Sequence, residues 1–190
     1  MDNARPKAYQ RGVLLIEVLV TMIIVVLGLL GLAGLQVQLQ KNEVESYQRS
    51  QALLLLNDMA NRISTNRNTA ASYVTGTANP LGAGMTCPTA VATVAQVDLR
   101  EWCLALQGAA EKTAANASVG TLVGGRGCVE AVDQDFLITV AWQGLTPLTQ
   151  PPDSVACGSG SYNGASGSAC VDDRCRRVVT TLVRVANLTP

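Results

Sequence analysis

The sequence predicts an α+β protein in which one long N-terminal helix packs on a small antiparallel sheet with disulfide-tied loops. Three observations point there. No proline interrupts residues 13–66, and the second half of that stretch carries apolar residues at helical spacing. Phe136–Trp142 and Arg177–Val185 alternate apolar and polar residues in β-branched company, as half-buried strands do. Six cysteines, at 87, 103, 128, 157, 170 and 175, all lie beyond the apolar N-terminal segment.

That segment runs from Val13 to Leu35 and is apolar except for Glu17, Thr21 and the glycines Gly28, Gly31 and Gly34. As a helix it spans about 34 Å, enough to cross a hydrocarbon core of about 30 Å. Arg5, Lys7 and Arg11 stand before it against Asp2 alone. The positive-inside rule therefore leaves residues 1–12 in the cytoplasm and carries the rest across the membrane. A cleaved secretory signal is one alternative, with Gly31-Leu32-Ala33 as its cut site, but its apolar stretch is shorter than this run. An uncut signal anchor is another.

Glu17 is the informative residue. An acid inside a spanning helix costs about 2.5–3.5 kcal/mol on insertion scales, and less near an end. Such a residue needs a partner or a proton. A cut between Gly12 and Val13 creates an ammonium group at Val13, four residues before Glu17, and the two charges neutralise each other within a chain or between neighbours. Without the cut, a protonated Glu17 near the interface is the alternative.

Beyond Leu35 the surface becomes polar with an apolar stripe of Val37, Val44, Tyr47, Ala52, Leu55, Leu56, Met59, Ala60 and Ile63. Glu45–Arg49 and Asp58–Arg62 stand at i,i+4, each pair good for about 0.2–0.5 kcal/mol. The whole reads as one helix about 80 Å long, ended by Asn66 and the polar run that follows. Residues 67–93 read as a long connecting loop. Asp98 is placed to cap a short helix over about 98–113, with Leu99, Trp102, Cys103 and Leu106 on one face. The Gly- and Ala-rich stretch 114–128 reads as loose, and Pro147, Pro151, Pro152 and the Gly/Ser run 158–168 as a long loop.

An even cysteine count on the far side of the membrane reads as disulfides. Six cysteines allow fifteen connectivities. The pairing 87–103, 128–157 and 170–175 is favoured, with 157–170 and 128–175 as the alternative to the last two. Metal binding wants closer pairs than Cys170-x4-Cys175. A redox role for Cys170 and Cys175 beside Arg174 and Arg176 lacks the usual spacing and helix context. Asp133/Asp135 and Asp172-Asp173 lack calcium-loop spacing and read as solvated turns.

The chain has no histidine, which removes Ser-His-Asp triads, Cys-His pairs and His-ligated zinc. Net charge is zero, so no basic face advertises nucleic acid. No enzyme motif and no cofactor site is expected.

Gly12-Val13-Leu14-Leu15-Ile16-Glu17-Val18-Leu19-Val20 resembles the class III signal of the type IV pilin-like family. The family usually has Phe where this chain has Val13, and other apolar residues occur there too. The resemblance is strongest over residues 5–66. Gly28, Gly31, Gly34 and Leu35-Gln36, then Ala141-Trp142-Gln143-Gly144, Cys157-Gly158 and Arg176-Arg177-Val178-Val179, are most similar to the PilV-like minor pilins, or type IV pilus modification proteins.

The resemblance implies a leader, residues 1–12, removed by prepilin peptidase between Gly12 and Val13, with methylation of Val13. It implies a membrane and filament-core helix over 13–35, its amphipathic continuation over 36–66, and a periplasmic, later extracellular, globular part over 67–190. Glu17 is then the assembly residue, and Gly28, Gly31 and Gly34 either permit close helix packing or soften the helix as it leaves the bilayer. The implied partners are the inner membrane, prepilin peptidase, other minor and major pilins and the pilus assembly machinery. A minor pseudopilin of a type II secretion system shares the same N-terminal features. A membrane-anchored periplasmic binding module is the reading from another class.

Overall fold

The computed structural model describes residues 12–109, 114 and 122–185. The leader residues before Gly12 and the far end of the expected short helix, 110–113, lie outside the described residues. The chain divides after Glu43 into two compact units. Helix α1, Gly12–Thr65, contributes to both. Its bounds match the expected helix to within one residue at each end.

The second unit begins at Val44. After α1 come a 3-10 helix, Arg67–Tyr73, then β1, Leu81–Gly82, α2, Val94–Leu106, β2, Arg126–Val132, β3, Asp135–Gln143, and β4, Arg176–Arg184. The strands form one antiparallel sheet in the order β1-β2-β3-β4. This is the α+β arrangement expected, with two strands where sequence reading placed loop. β2 lies over the end of the stretch read as loose, and β1 within the stretch read as connecting loop.

Within this unit α1 buries one stripe, Gln48, Ala52, Leu56, Met59 and Ile63, at the i+4/i+3 spacing of a helix face. The expected stripe holds from Ala52 onward. Tyr47 and Val44 stay exposed. The stripe packs against Tyr73, Trp102, Leu106, Val129, Ile138, Val140, Trp142 and Val183 in one core. Trp102 also donates its indole N–H to the carbonyl of Leu55 at 2.9 Å, which ties α2 to α1.

α2 starts earlier than expected. Thr93 caps it, accepting from the Gln96 amide, while the Gln96 side chain accepts from the Thr93 amide. This reciprocal capping box outcompetes Asp98 for the role. Asp98 instead faces α1, where Arg62 donates to Asp98 at 2.7 Å, Glu101 at 2.8 Å and Asp58 at 3.0 Å. The Tyr73 hydroxyl bonds to Asp98 as well. Burial disfavours the Arg62 charge, but the carboxylates outweigh it and its pKa is raised. Burial and then the Asp98 bond push the Tyr73 pKa up.

The favoured disulfide pairing is the one present: Cys87–Cys103, Cys128–Cys157 and Cys170–Cys175. The middle bridge has a visible purpose. On one face of β3, Ile138, Val140 and Trp142 enter the α1 core. On the other, Thr139 and Ala141 are equally buried, along with Cys128, Cys157 and Tyr162. A sheet residue buried away from the helix needs a second cover, and the proline- and glycine-rich loop supplies it. Cys128–Cys157 fastens that loop to β2, and the Tyr162 hydroxyl donates to the Gly124 carbonyl at 2.9 Å.

Gly127 shows how tightly the core closes. A Cβ there would stand 2.3 Å from the Trp102 ring and 2.7 Å from Leu106. Replacing Gly127 with Ala should therefore cost about 1–3 kcal/mol by overpacking, read as a lowered Tm in circular-dichroism melts of the full chain in detergent. An unchanged Tm would mean the ring does not sit on this strand.

Candidate functional site: the exposed apolar helix and its single charge

Gly12 and Val13 open α1, and Glu17 stands one turn further on. Residues four apart lie on one helix face, so Val13 and Glu17 share a face. No acidic residue occupies the first turn. From Leu15 to Leu39 the large apolar side chains are exposed, on every side of the helix: Leu15 is 74% exposed, Leu30 65% and Leu39 62%. A helix apolar all round is built for a core larger than its own chain or for a membrane. By length and composition α1 is the one described helix able to cross a bilayer.

The polar groups in this span are few. The Thr21 hydroxyl donates to the Val18 carbonyl at 2.9 Å and so is satisfied within the helix. Glu17 is exposed, and it is the one charged residue between Val13 and Gln40. Gly28, Gly31 and Gly34 have nothing within 4 Å of where a Cβ would be. Nothing among the described residues requires glycine at these positions, although each costs about 1 kcal/mol relative to Ala inside a helix.

In the second unit, the sequence motifs Trp142-Gln143-Gly144 and Arg176-Arg177 meet across the sheet. Trp142 pairs with Arg177, and Gln143 with Arg176. The two arginines then leave on opposite faces. Arg177 reaches α1, donating to Glu45 at 3.3 Å and to the Thr146 carbonyl at 2.6 Å. It passes over Gly144, where a Cβ would sit 2.6 Å from the guanidinium carbon. Glu45 also accepts from the Leu145 amide at 3.1 Å. The expected Glu45–Arg49 pair is therefore corrected: Glu45 is held by the sheet end rather than by its own helix, because there it gains a backbone donor and a less exposed cation. Asp58–Arg62 does form. Beside this lock lies a cleft of about 320 Å³ lined by Glu45, Ser46, Arg49, Trp142, Leu148 and Arg177.

Arg176, 3% exposed, goes to the other face. It donates to Asp173 at 3.1 Å and to the carbonyls of Val155 and Cys157 at 2.6 and 3.2 Å. Asp173 accepts further bonds from Ser159 and from the Gly160 amide. The reading of Asp173 as a solvated turn residue is thus corrected. It is a half-buried hub joining the Cys170–Cys175 loop to the loop that covers the sheet. Sequence reading missed it because its partners Ser159 and Gly160 lie 14 and 13 residues away along the chain. Asp133 does sit in an exposed two-residue turn between β2 and β3, with φ 55°.

Among the described residues, no group of His, Cys, Asp or Glu is arranged to hold a metal, and every cysteine is in a disulfide. The described residues present an exposed apolar helix with one charge, and a braced globular unit. No protein family, curated protein or solved structure matches this chain.

The bracing has a pH signature. Burial, opposed in part by Arg126 and Arg176, pushes the Tyr162 pKa up to about 12. The folded state thus holds the phenolic proton more tightly than the unfolded state, whose value is near 10. The associated stability is complete below pH ~10 and is lost as pH rises toward ~12. In alkaline denaturation series, the stability difference between the native chain and Tyr162→Phe should shrink over that window. A difference constant with pH would contradict the buried, neutral phenol.

Proposed function

We propose that this chain is a minor pilin of the type IV pilus kind, most like the PilV-like group. It is made as a single-pass inner-membrane protein, cut by prepilin peptidase between Gly12 and Val13, methylated on Val13, and assembled with other pilins into the pilus filament or priming it. One observation carries the reading: a helix apolar on all sides whose single charge, Glu17, lies one turn after the Gly12–Val13 bond.

The mechanism follows from electrostatics. Before the cut, Glu17 has no cation in the apolar span, and taking a lone carboxylate into hydrocarbon is costly. The cut makes a cation at Val13 within reach of Glu17 of the same helix or of a neighbour. Pairing removes most of the penalty and rewards helices that pack side by side in one register. Gly28, Gly31 and Gly34 leave room for neighbouring helices to approach closely, which is what would offset their helix cost. The second unit, braced by three disulfides and the Glu45–Arg177 lock, suits an oxidising compartment outside the cytoplasm.

The test is Glu17→Ala. Membrane insertion and removal of residues 1–12 should be retained, because the variant span is more apolar. Incorporation into sheared pilus fractions should fall by roughly tenfold or more, the loss of one ion pair of about 1.4 kcal/mol or greater. Wild-type incorporation would remove Glu17 from its assigned part.

A further inference from the structure

The cleft beside the Glu45–Arg177 lock lies wholly within the second unit, and its charged groups are unequally engaged. Glu45 is held from the sheet side, accepting from the Leu145 amide, the Thr146 hydroxyl and Arg177. Arg177 donates in turn to the carbonyls of Thr146 and Arg174. The charges of this pair cancel. Arg49 lines the same cleft, is exposed, and makes no ion pair among the described residues. Ser46 stands three residues before it, so its hydroxyl and the guanidinium share a helix face. The rest of the lining is apolar: Trp142, 4% exposed, and Leu148, 52% exposed. At about 320 Å³ the cleft is large enough for part of a small ligand. An uncancelled cation and a hydroxyl beside an apolar wall fit an amphiphile with an anionic head.

The chain itself says which amphiphile is within reach. The all-round apolar surface of α1 ends at Leu39. Ser46 follows seven residues later, so at most about 25 Å of chain separates the two. The cleft is therefore tethered close to whatever surface the apolar span enters. Tyr47, on the same turn as Ser46 and Arg49, is exposed, as is Leu145 on the loop that holds Glu45. Exposed aromatic, basic and aliphatic groups together suit the headgroup layer of a bilayer, where each finds its own surroundings.

We infer that this cleft binds the phosphate of an anionic membrane phospholipid, with Arg49 and Ser46 as donors and the glycerol and first acyl carbons against Trp142 and Leu148. A guanidinium matches a phosphate through two parallel hydrogen bonds, and the Ser46 hydroxyl supplies a third. The inference rests on the membrane reading of α1 given above. On that reading the lipid holds the second unit to the bilayer surface at a point distinct from the span, and lets go when the chain leaves the membrane.

Trp142 reports on the cleft, because the other tryptophan, Trp102, is fully buried. The full-length chain in a neutral detergent is titrated with phosphatidylglycerol, and the Trp142 emission is taken as the difference from Trp142→Phe. It should change saturably. Arg49→Gln, at an exposed position with no ion pair to break, should need about tenfold more lipid for the half-maximal change. Arg100→Gln, at an exposed arginine of α2 outside the cleft, should behave as the native chain. Inorganic phosphate at the same concentrations should leave the emission unchanged, since it has no apolar part to place on Trp142 and Leu148. No saturable response, an equal response to inorganic phosphate, or equal weakening by Arg49→Gln and Arg100→Gln would each overturn the inference. Flotation with phosphatidylglycerol vesicles separates the two readings. A chain that floats without an Arg49-dependent response overturns the lipid site alone, and a chain that does not float overturns the membrane reading with it.

Discussion

One helix must satisfy two different surroundings, and the rest of the molecule follows from that constraint. From Leu15 to Leu39 the large side chains of α1 are apolar on every side and exposed. From Gln48 the same helix buries a single stripe and leaves the rest to solvent. An all-round apolar surface of this extent is far beyond what a soluble monomer leaves exposed. It needs lipid or other helices. The one-sided stripe needs a sheet, and the second unit supplies it.

The sheet is small and its helix covers one face, so the other face is closed by a loop with little regular structure of its own. Such a loop has few apolar contacts to hold it and is fixed by specific links instead. These are the Cys128–Cys157 bridge, the Tyr162 hydroxyl bond, and the Asp173–Arg176 hub fed by Ser159 and Gly160. Adjacent arginines on one strand serve opposite faces because successive strand residues alternate. Arg176 holds the loop and Arg177 holds α1 through Glu45. β4 is thus the strand that clamps both layers.

What could be read from the sequence was what depends on local pattern. The helix from residue 13 and the strands around Phe136–Trp142 and Arg177–Val185 emerged from periodicity and spacing, whereas the cysteine pairing was a favoured choice among fifteen. β2 was hidden because its first residues, Arg126-Gly127-Cys128, follow a glycine-rich run, and glycine argues against strand. Gly127 is there because the Trp102 ring lies on it, a tertiary reason with no local signature. β1 is two residues long and exists only through its pairing with β2. α2 starts at the Thr93–Gln96 box and not at Asp98, which Arg62 draws away from 36 residues back along the chain. The Glu45–Arg177 contact spans 132 residues and was equally invisible. The N-terminal charge arrangement, by contrast, is entirely local: Gly12, Val13 and Glu17 stand within two turns.

The central claim is that processing creates the cation that makes Glu17 tolerable in an apolar helix. Intact mass of the chain from cells with and without prepilin peptidase tests it most directly. The account predicts loss of residues 1–12 and gain of one methyl group on Val13 in the first case, and the full-length chain in the second. An uncut chain in both, or a cut near Ala33, would contradict it.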